Sequence, residues 1–209
     1  MNLSHPAFDV FGENEGRVLH RLAVLSDGAT GRRIHRLAGV PALRTTQMIL
    51  ERFTRIGLVN MRPVGNSNEY SVNRGHVLWD PISRVLESAA VVENGLTDIL
   101  SAVFGERLVG AALYGSFARG EADADSDIDI LIVHADDDPA VGLVDLIEDA
   151  SERIRILTGN DAQLLPMSGS ELRNLVARED PLVGSLRADG RSLVDGFDLD
   201  GAFHRRQQL

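Results

Sequence analysis

Two strongly apolar runs, at residues 108–114 and 128–133, are joined by a short polar segment, and this arrangement constrains the fold more than any other part of the chain. The first run ends at Gly115-Ser116, where glycine lets the backbone turn and present its N–H groups. The second run begins with Asp127-Ile128-Asp129. Because strand side chains alternate between faces, both aspartates point to one side while the isoleucine points to the other. The pattern predicts a strand, a tight turn, an acidic loop and a second strand.

The turn and the paired carboxylates predict a binding site for phosphate and a divalent cation. Backbone N–H groups at such a turn can hold phosphate oxygens, with the Ser116 hydroxyl as a further donor. Two adjacent carboxylates are suitable ligands for a hard cation such as Mg²⁺. The same residues are also compatible with an acidic surface loop between two strands, and that alternative predicts no ligand.

These residues, in the order Gly-Ser-x-Ala-Arg-Gly and then Ser-Asp-x-Asp, resemble the signature of the polymerase-β-like nucleotidyltransferase superfamily. They are most similar to its minimal, kanamycin-nucleotidyltransferase-like members. The implied reaction is attack of an acceptor hydroxyl on the α-phosphorus of a nucleoside triphosphate, with transfer of the nucleoside monophosphate and release of pyrophosphate. The resemblance implies that Asp127 and Asp129 are catalytic and bind Mg²⁺, and that the nucleotide-binding residues are Gly115, Ser116, Arg119 and Ser126.

This sequence departs from the superfamily at the position of a third carboxylate. Active members present it on a following strand, facing the pair. Here the predicted strand at 161–167 places Gln163 at that position, whereas Asp161 has the same parity and lies one residue pair earlier. A glutamine can coordinate a metal through its amide oxygen, but it neither accepts a proton nor contributes charge. Asp161 and Gln163 are therefore alternative third ligands, and the glutamine puts catalytic activity in question.

The first 80 residues differ from the rest in charge and in predicted structure. They carry 10 arginines against 7 acidic residues, whereas residues 81–209 carry 11 arginines against 24 acidic residues. Such asymmetry suggests separate partners for the two halves. Apolar periodicity and turn residues predict helices at about 15–26, 31–38 and 41–56, followed by two strands around a turn at 65–68.

This order of elements resembles the winged helix-turn-helix of bacterial transcription regulators. In that family the third helix enters the major groove of double-stranded DNA, and the wing contacts phosphates. The alternative is a winged helix that serves only in dimerisation, with a solvated arginine face. The resemblance implies DNA contacts from the exposed start of the third helix and from the wing, through Arg44, Thr45, Thr46, Gln47, Arg62, Asn66 and Asn68.

The predicted organisation is an α/β fold of the α+β type with three parts. A winged helix-turn-helix domain at 1–78 is followed by a helical linker at 79–105 and by a nucleotidyltransferase-like domain at 106–209, which has a small mixed β-sheet flanked by helices. The apolar stripe of the linker region packs either in the core of the chain or against a homodimer partner.

Composition excludes several other classes. The chain has no cysteine, and therefore neither a disulfide framework nor a thiolate metal site. Neither a leader-like N-terminus nor a run of 18 apolar residues is present, so we expect a cytoplasmic protein without membrane contact.

Two functions are consistent with the sequence. The first is a DNA-binding transcription regulator whose nucleotidyltransferase-like domain binds a Mg²⁺-nucleotide. The second is an active nucleotidyltransferase that modifies a hydroxyl of a nucleic acid, a protein or a small molecule recruited by the winged helix. Gln163 favours the first function, and the intact Gly-Ser and Asp-x-Asp residues favour the second.

Overall fold

The computed structural model describes residues 1–136, 142–194 and 197, and it divides the chain into two compact units. The N-terminal unit is His5–Ala89. The C-terminal unit comprises Met1–Ser4 together with the chain from Ala90 onward. Helices and two small sheets make this a mixed α+β fold, which confirms the predicted class. The predicted end of the last domain at Leu209 lies outside the described residues.

The N-terminal unit packs helices on a three-stranded antiparallel sheet of order β1-β3-β2. Its core is formed by aliphatic and aromatic side chains spaced three or four residues apart on the helices, as in Val18 and Leu22 or in Leu50 and Phe53. The elements are α1 (Pro6–Phe11), α2 (Glu13–Val24), β1 (Ala29–Thr30), α3 (Gly31–Ala38), α4 (Leu43–Arg55), β2 (Val59–Val64), β3 (Ser67–Val72) and α5 (Trp79–Leu86).

The predicted helices and hairpin of this unit are present within a few residues of their expected bounds. The Thr30 hydroxyl accepts a hydrogen bond from the Arg33 backbone N–H at 3.3 Å, and this cap sets the start of α3. The sequence did not predict β1, which is two residues long and exists because Ala29 pairs with Tyr70 across the sheet. So short a strand has no periodicity of its own.

One residue of the predicted DNA-contacting set points inward. Thr46 is fully buried, and its hydroxyl lies 3.2 Å from Nδ1 of His35. The expectation of an exposed Thr46 is wrong because position 46 shares a helical face with the core residues Ile49 and Leu50.

The C-terminal unit is a four-stranded mixed sheet of order β6-β5-β4-β7, covered by helices on both faces. Strands β5 and β6 are parallel, whereas the other pairs are antiparallel. A short 3₁₀ turn at Gly105–Arg107 leads into the sheet. The elements are α6 (Ser88–Phe104), β4 (Leu108–Tyr114), α7 (Gly115–Ala118), β5 (Ile128–His134), α8 (Leu143–Thr158), β6 (Ala162–Ser168), α9 (Gly169–Ala177), α10 (Pro181–Asp189) and β7 (Arg191–Ser192).

Alternation along the central strands divides the core of this unit between the two faces. Ile130 and Ile132 of β5 pack in a cluster with residues of α6 and α8. Leu131 and Val133 pack on the opposite face with residues of α9 and α10. Both faces of β5 are therefore covered, and its polar side chains stand at the two ends of the strand, Asp129 near the start and His134 at the end.

The segment predicted as a linker, 79–105, is divided between the two units. Trp79 lies in the core of the N-terminal unit, with Ile82 and Leu86 against it. Leu96 and Leu100 of α6 are fully buried in the C-terminal unit. Many of the apolar residues of this segment thus pack into the cores of the two units, whereas Val91 is exposed. Within the described ranges, no helix combines the length and the apolarity that a membrane crossing requires.

Candidate functional site

The Gly115 backbone lies against the carboxylate of Asp129. Gly115 follows β4 directly and begins α7 with a φ of 73°. A Cβ atom at this position would collide with Oδ2 of Asp129 and would lie 3.1 Å from its Cγ. Both the positive φ and the missing side chain are needed, so only glycine allows this approach. The predicted turn and the predicted carboxylate pair thus form one site.

The two aspartates occupy different surroundings. Asp127 is exposed immediately before β5, whereas Asp129 is half-buried and pairs with Tyr114 of β4. Burial raises the pKa of the Asp129 carboxyl above its ordinary range, and the charge of Asp127 raises it further; the charge of Arg119 opposes both effects. Burial and the Asp129 charge likewise raise the pKa of the Tyr114 phenol. The negative charges of Asp127 and Asp129 are therefore close together, beside the half-buried phenol of Tyr114.

Gln163 stands at the third position of the site. The parallel register of β5 and β6 pairs Asp129 with Gln163, and Nε2 of Gln163 donates to Oδ2 of Asp127 at 2.7 Å. Asp161 lies one residue pair earlier, where its carbonyl oxygen accepts a hydrogen bond from the Ile128 backbone N–H at 2.9 Å. The register favours Gln163 over Asp161 as the third member of the site.

The donor set of the site is therefore two carboxylates and one amide. In the part of the chain that the structure describes, no three His, Asp or Glu side chains cluster in a way that could hold a metal ion. Asp127, Asp129 and the amide oxygen of Gln163 are nevertheless all hard oxygen ligands, a chemistry that suits Mg²⁺. One cation that is also bound by phosphate oxygens fits this set better than two cations do.

Two further predicted nucleotide-binding residues have partners within the protein. The Arg119 Nε donates to a carboxylate oxygen of Glu121 at 2.8 Å. The Ser126 hydroxyl donates to Oδ1 of Asp123 at 2.8 Å and accepts a hydrogen bond from the Asp123 backbone N–H at 2.9 Å. In this structure Ser126 stabilises the acidic loop, and Arg119 uses its Nε–H for Glu121 while its Nη groups remain further donors. The Ser116 side chain is half-buried in the first turn of α7.

Arg191 is a site-supporting residue that sequence reasoning missed. From β7 it donates to the Phe117 carbonyl oxygen at 3.1 Å and forms an ion pair with Glu93 at 2.6 Å. These contacts connect α7, which begins at Gly115, to the long helix α6. The sequence holds no local signal for them, because Arg191 lies 74 positions from Phe117.

In the N-terminal unit, the remaining residues predicted to contact DNA are mostly exposed. Arg44 and Gln47 project from the first turns of α4, and Thr45 is half-buried beside them. Asn66 lies in the tight turn of the hairpin, and Asn68 is exposed on β3. Arg62 is exposed on β2, where it forms an ion pair with Glu69 at 3.0 Å.

Comparison with known proteins identifies the class of the C-terminal unit. The family model for the nucleotidyltransferase domain matches residues 96–166, a span from α6 through β6 that contains Gly115, Asp127, Asp129 and Gln163. The chain therefore contains a nucleotidyltransferase domain, and domains of this family generally use divalent metal ions.

Among solved structures, a toxin-antitoxin with AMP-PNP is 21% identical, with a TM-score of 0.37, over 53% of this chain and 79% of that one. A mutant of the toxin-antitoxin MntA-HpeT is 18% identical, with a TM-score of 0.37, over 53% and 80%. The archaeal chromatin protein TrmBL2, whose structure shows a novel mode of DNA binding, is 18% identical, with a TM-score of 0.27, over 83% and 71%. These similarities are too weak to assign a function. No curated protein matches the chain.

Replacement of Asp129 by asparagine is predicted to stabilise the protein at neutral pH. Because the fold raises the pKa of Asp129, its ionisation costs stability as the pH rises from the unfolded pKa through the higher folded pKa. Above that interval Asp129→Asn should raise Tm slightly, because solvent screens the charge of this half-buried group, and below it, where both proteins carry a neutral side chain, the difference should vanish. Thermal unfolding without divalent cations at about pH 7.5 and about pH 3 measures this.

The matched control for this comparison is Asp125→Asn, which changes an exposed aspartate of the preceding loop and should leave Tm unchanged. If Asp129→Asn melts below the wild type at both pH values, the ionised carboxylate is not a destabilising group.

Proposed function

We propose that this protein is a DNA-binding regulator whose nucleotidyltransferase domain binds a nucleoside triphosphate together with Mg²⁺. The observation that carries the nucleotide part is the contact of the Gly115 backbone with the Asp129 carboxylate, since it brings a phosphate-binding turn beside the ligands of a cation. In this proposal the N-terminal unit is a winged helix that binds double-stranded DNA.

The residues of the site divide the work of binding. Asp127 and Asp129 would hold Mg²⁺, and the Gln163 amide would present its oxygen after rotation away from Asp127. Backbone N–H groups at Gly115 and Ser116, with the Ser116 hydroxyl, would donate to the phosphate oxygens. When bound, the cation would neutralise the negative charge of the phosphates, which the two carboxylates would otherwise repel. Arg119, whose charge already acts on Asp129, would add positive charge beside the cation.

Gln163 is the reason for proposing binding before catalysis. It brings neither a base nor a negative charge to the site, and its N–H group occupies an oxygen of Asp127. The site therefore has no third carboxylate to bind a second cation or to accept the proton of an acceptor hydroxyl. The intact Gly-Ser turn and aspartate pair support the second candidate, an active nucleotidyltransferase that transfers a nucleoside monophosphate to a hydroxyl of a substrate recruited by the winged helix.

Mg²⁺-dependent nucleotide binding is the first prediction of the proposal. We expect wild-type protein to bind at least one of ATP, GTP, CTP and UTP only when Mg²⁺ is present. Loss of one of two carboxylate ligands in Asp127→Asn should weaken that binding by about tenfold or more. Isothermal titration calorimetry with and without Mg²⁺ measures both effects.

Asp125→Asn serves as the matched control, because it removes an equal charge from the same loop without touching the site. Absence of heat with every nucleotide would remove the nucleotide part of the proposal. Equal binding by wild type and Asp127→Asn would move the cation elsewhere.

Gln163→Asp is predicted to restore the missing charge. A third carboxylate beside Asp127 and Asp129 should lower the Mg²⁺ concentration for half-maximal nucleotide binding by about tenfold. Gln163→Ala, which removes the amide without adding charge, is the control and should not strengthen binding. Calorimetric Mg²⁺ titrations at saturating nucleotide compare the three proteins. If Gln163→Asp binds like Gln163→Ala, Gln163 does not stand at a ligand position.

DNA binding is tested by two arginines with different predicted roles. Arg44→Ala should reduce preference for a selected DNA sequence by roughly 1–3 kcal/mol, because in this proposal Arg44 reaches base edges from the exposed start of α4. Arg62→Ala should weaken binding to all sequences and reduce the slope of log affinity against log salt by about one. Fluorescence anisotropy on DNA selected from a random library, and on a scrambled duplex, separates the two roles.

Arg153→Ala is the control for net charge, since Arg153 is an exposed arginine of α8 in the C-terminal unit. Equal affinities and salt slopes for the wild type, Arg44→Ala and Arg62→Ala would remove the DNA-binding assignment.

A further inference from the structure

Asn160 is a buried polar residue between α8 and β6 that no sequence motif singled out. Its side chain is 5% exposed and lies beside the acidic loop that precedes Asp127. The Nδ2 group donates to the carbonyl oxygens of Ser126 at 3.0 Å, Met1 at 3.1 Å and Ala124 at 3.3 Å. Two N–H groups thus serve three acceptors, two of which belong to the loop.

The backbone of Asn160 is bound to the C-terminal end of α8 through Thr158. Thr158, also buried, donates from its hydroxyl to the Ile154 carbonyl at 2.8 Å in the last turn of α8. The same hydroxyl accepts a hydrogen bond from the Asn160 backbone N–H at 3.1 Å. The backbone of Asn160 is therefore held by the end of a sixteen-residue helix.

The loop has less support of its own. Residues 121–127 belong to no helix or strand, and the bonds within the loop run between Asp123, Asp125 and Ser126. The Ser126 carbonyl belongs to the peptide group that leads into Asp127, so a bond to it restricts the backbone on which the Asp127 carboxylate is mounted. Without the amide, the Ser126 carbonyl would lose the hydrogen bond from Asn160, and the Ala124 carbonyl would keep only the 3.4 Å bond from the N-terminal ammonium group of Met1.

We propose that Asn160 is a positioning residue for the metal-binding aspartate: its amide holds the 124–126 backbone so that Asp127 meets Asp129 and Gln163. The part that concerns the cation rests on the proposed function, whereas the ordering of the loop does not. Asn160 touches neither the cation nor the nucleotide in this arrangement and acts only through the loop.

The variant Asn160→Asp separates hydrogen bonding from packing. Aspartate has nearly the shape of asparagine, but its ionised form has no N–H group to donate and turns an oxygen toward the loop carbonyls. Asn160→Ala removes the amide without adding charge. Thr97→Val is the structural control, because at constant shape it removes a half-buried hydroxyl that bonds to the Glu93 and Leu193 carbonyls rather than to Asn160 or the loop. Asn174→Asp, at an exposed position of α9, controls for the added charge.

Two measurements on the full chain test the proposal. The first is hydrogen exchange by mass spectrometry on peptides covering residues 121–128, without ligand. The second is the Mg²⁺ concentration for half-maximal nucleotide binding. Asn160→Asp and Asn160→Ala should accelerate exchange in the loop about tenfold, leave peptides of α10 unchanged, and raise the half-saturating Mg²⁺ about tenfold. Thr97→Val and Asn174→Asp should leave the half-saturating Mg²⁺ near the wild-type value.

The outcomes distinguish a positioning role from a structural one. Unchanged loop exchange in both Asn160 variants overturns the proposal, as does an equal rise in half-saturating Mg²⁺ in Thr97→Val. If wild-type protein binds no Mg²⁺-nucleotide, the proposed function fails, and loop exchange alone decides whether Asn160 orders the loop. If Asn160→Asp and Asn160→Ala do not fold, Asn160→Ser, which keeps one shorter donor, should give intermediate loop exchange, and wild-type exchange in that variant overturns the proposal.

Discussion

The close approach of the Gly115 backbone to the Asp129 carboxylate is the contact on which the rest of the site depends. It requires β4 to end where it does, because Tyr114 and Asp129 are paired across the antiparallel strands β4 and β5. It also requires a left-handed glycine, since a Cβ atom would occupy the place of a carboxylate oxygen. With that contact made, the turn that can donate to phosphates and the carboxylates that can hold a cation share one edge of the sheet. Arg191 from β7 bonds to α7, and Asn160 from the β6 side bonds to the acidic loop that precedes Asp127.

Charge is the second constraint, and it separates binding from catalysis at this site. Burial and the neighbouring Asp127 charge both raise the pKa of Asp129, so the ionised pair is unfavourable until a cation joins it. Gln163 relieves part of this repulsion by donating to Asp127. A third carboxylate would instead increase the repulsion and, with it, the affinity for cations. The present arrangement is thus easier to keep folded without metal, and it offers a ligand set that suits one cation better than two.

The regular elements were predictable from the sequence where the signal was local. Alternating apolar residues and the Gly115-Ser116 turn predicted β4, β5 and the loop between them, and parity along β6 predicted the place of Gln163. The helical spacing of the N-terminal unit predicted α2 to α4 in the same way. Thr46 was misplaced because a polar side chain at a core position gives no apolar signal, although its hydroxyl is satisfied by His35. The roles of Arg191 and Asn160 depend on partners far away in the chain, and no local pattern contains them.

The parallel pairing of β5 with β6 has a consequence for how this domain changes its chemistry. Gln163 is exposed at the start of β6, while later residues of the strand, among them Leu164 and Met167, contact the two cores. The side chain that decides the charge of the site therefore contributes little to holding the sheet together. If the proposed cation site is correct, a single substitution at this position would add the carboxylate that a second cation needs while the scaffold stays the same. Stability and reactivity are thus adjustable separately in this domain, by residues only a few positions apart on one strand.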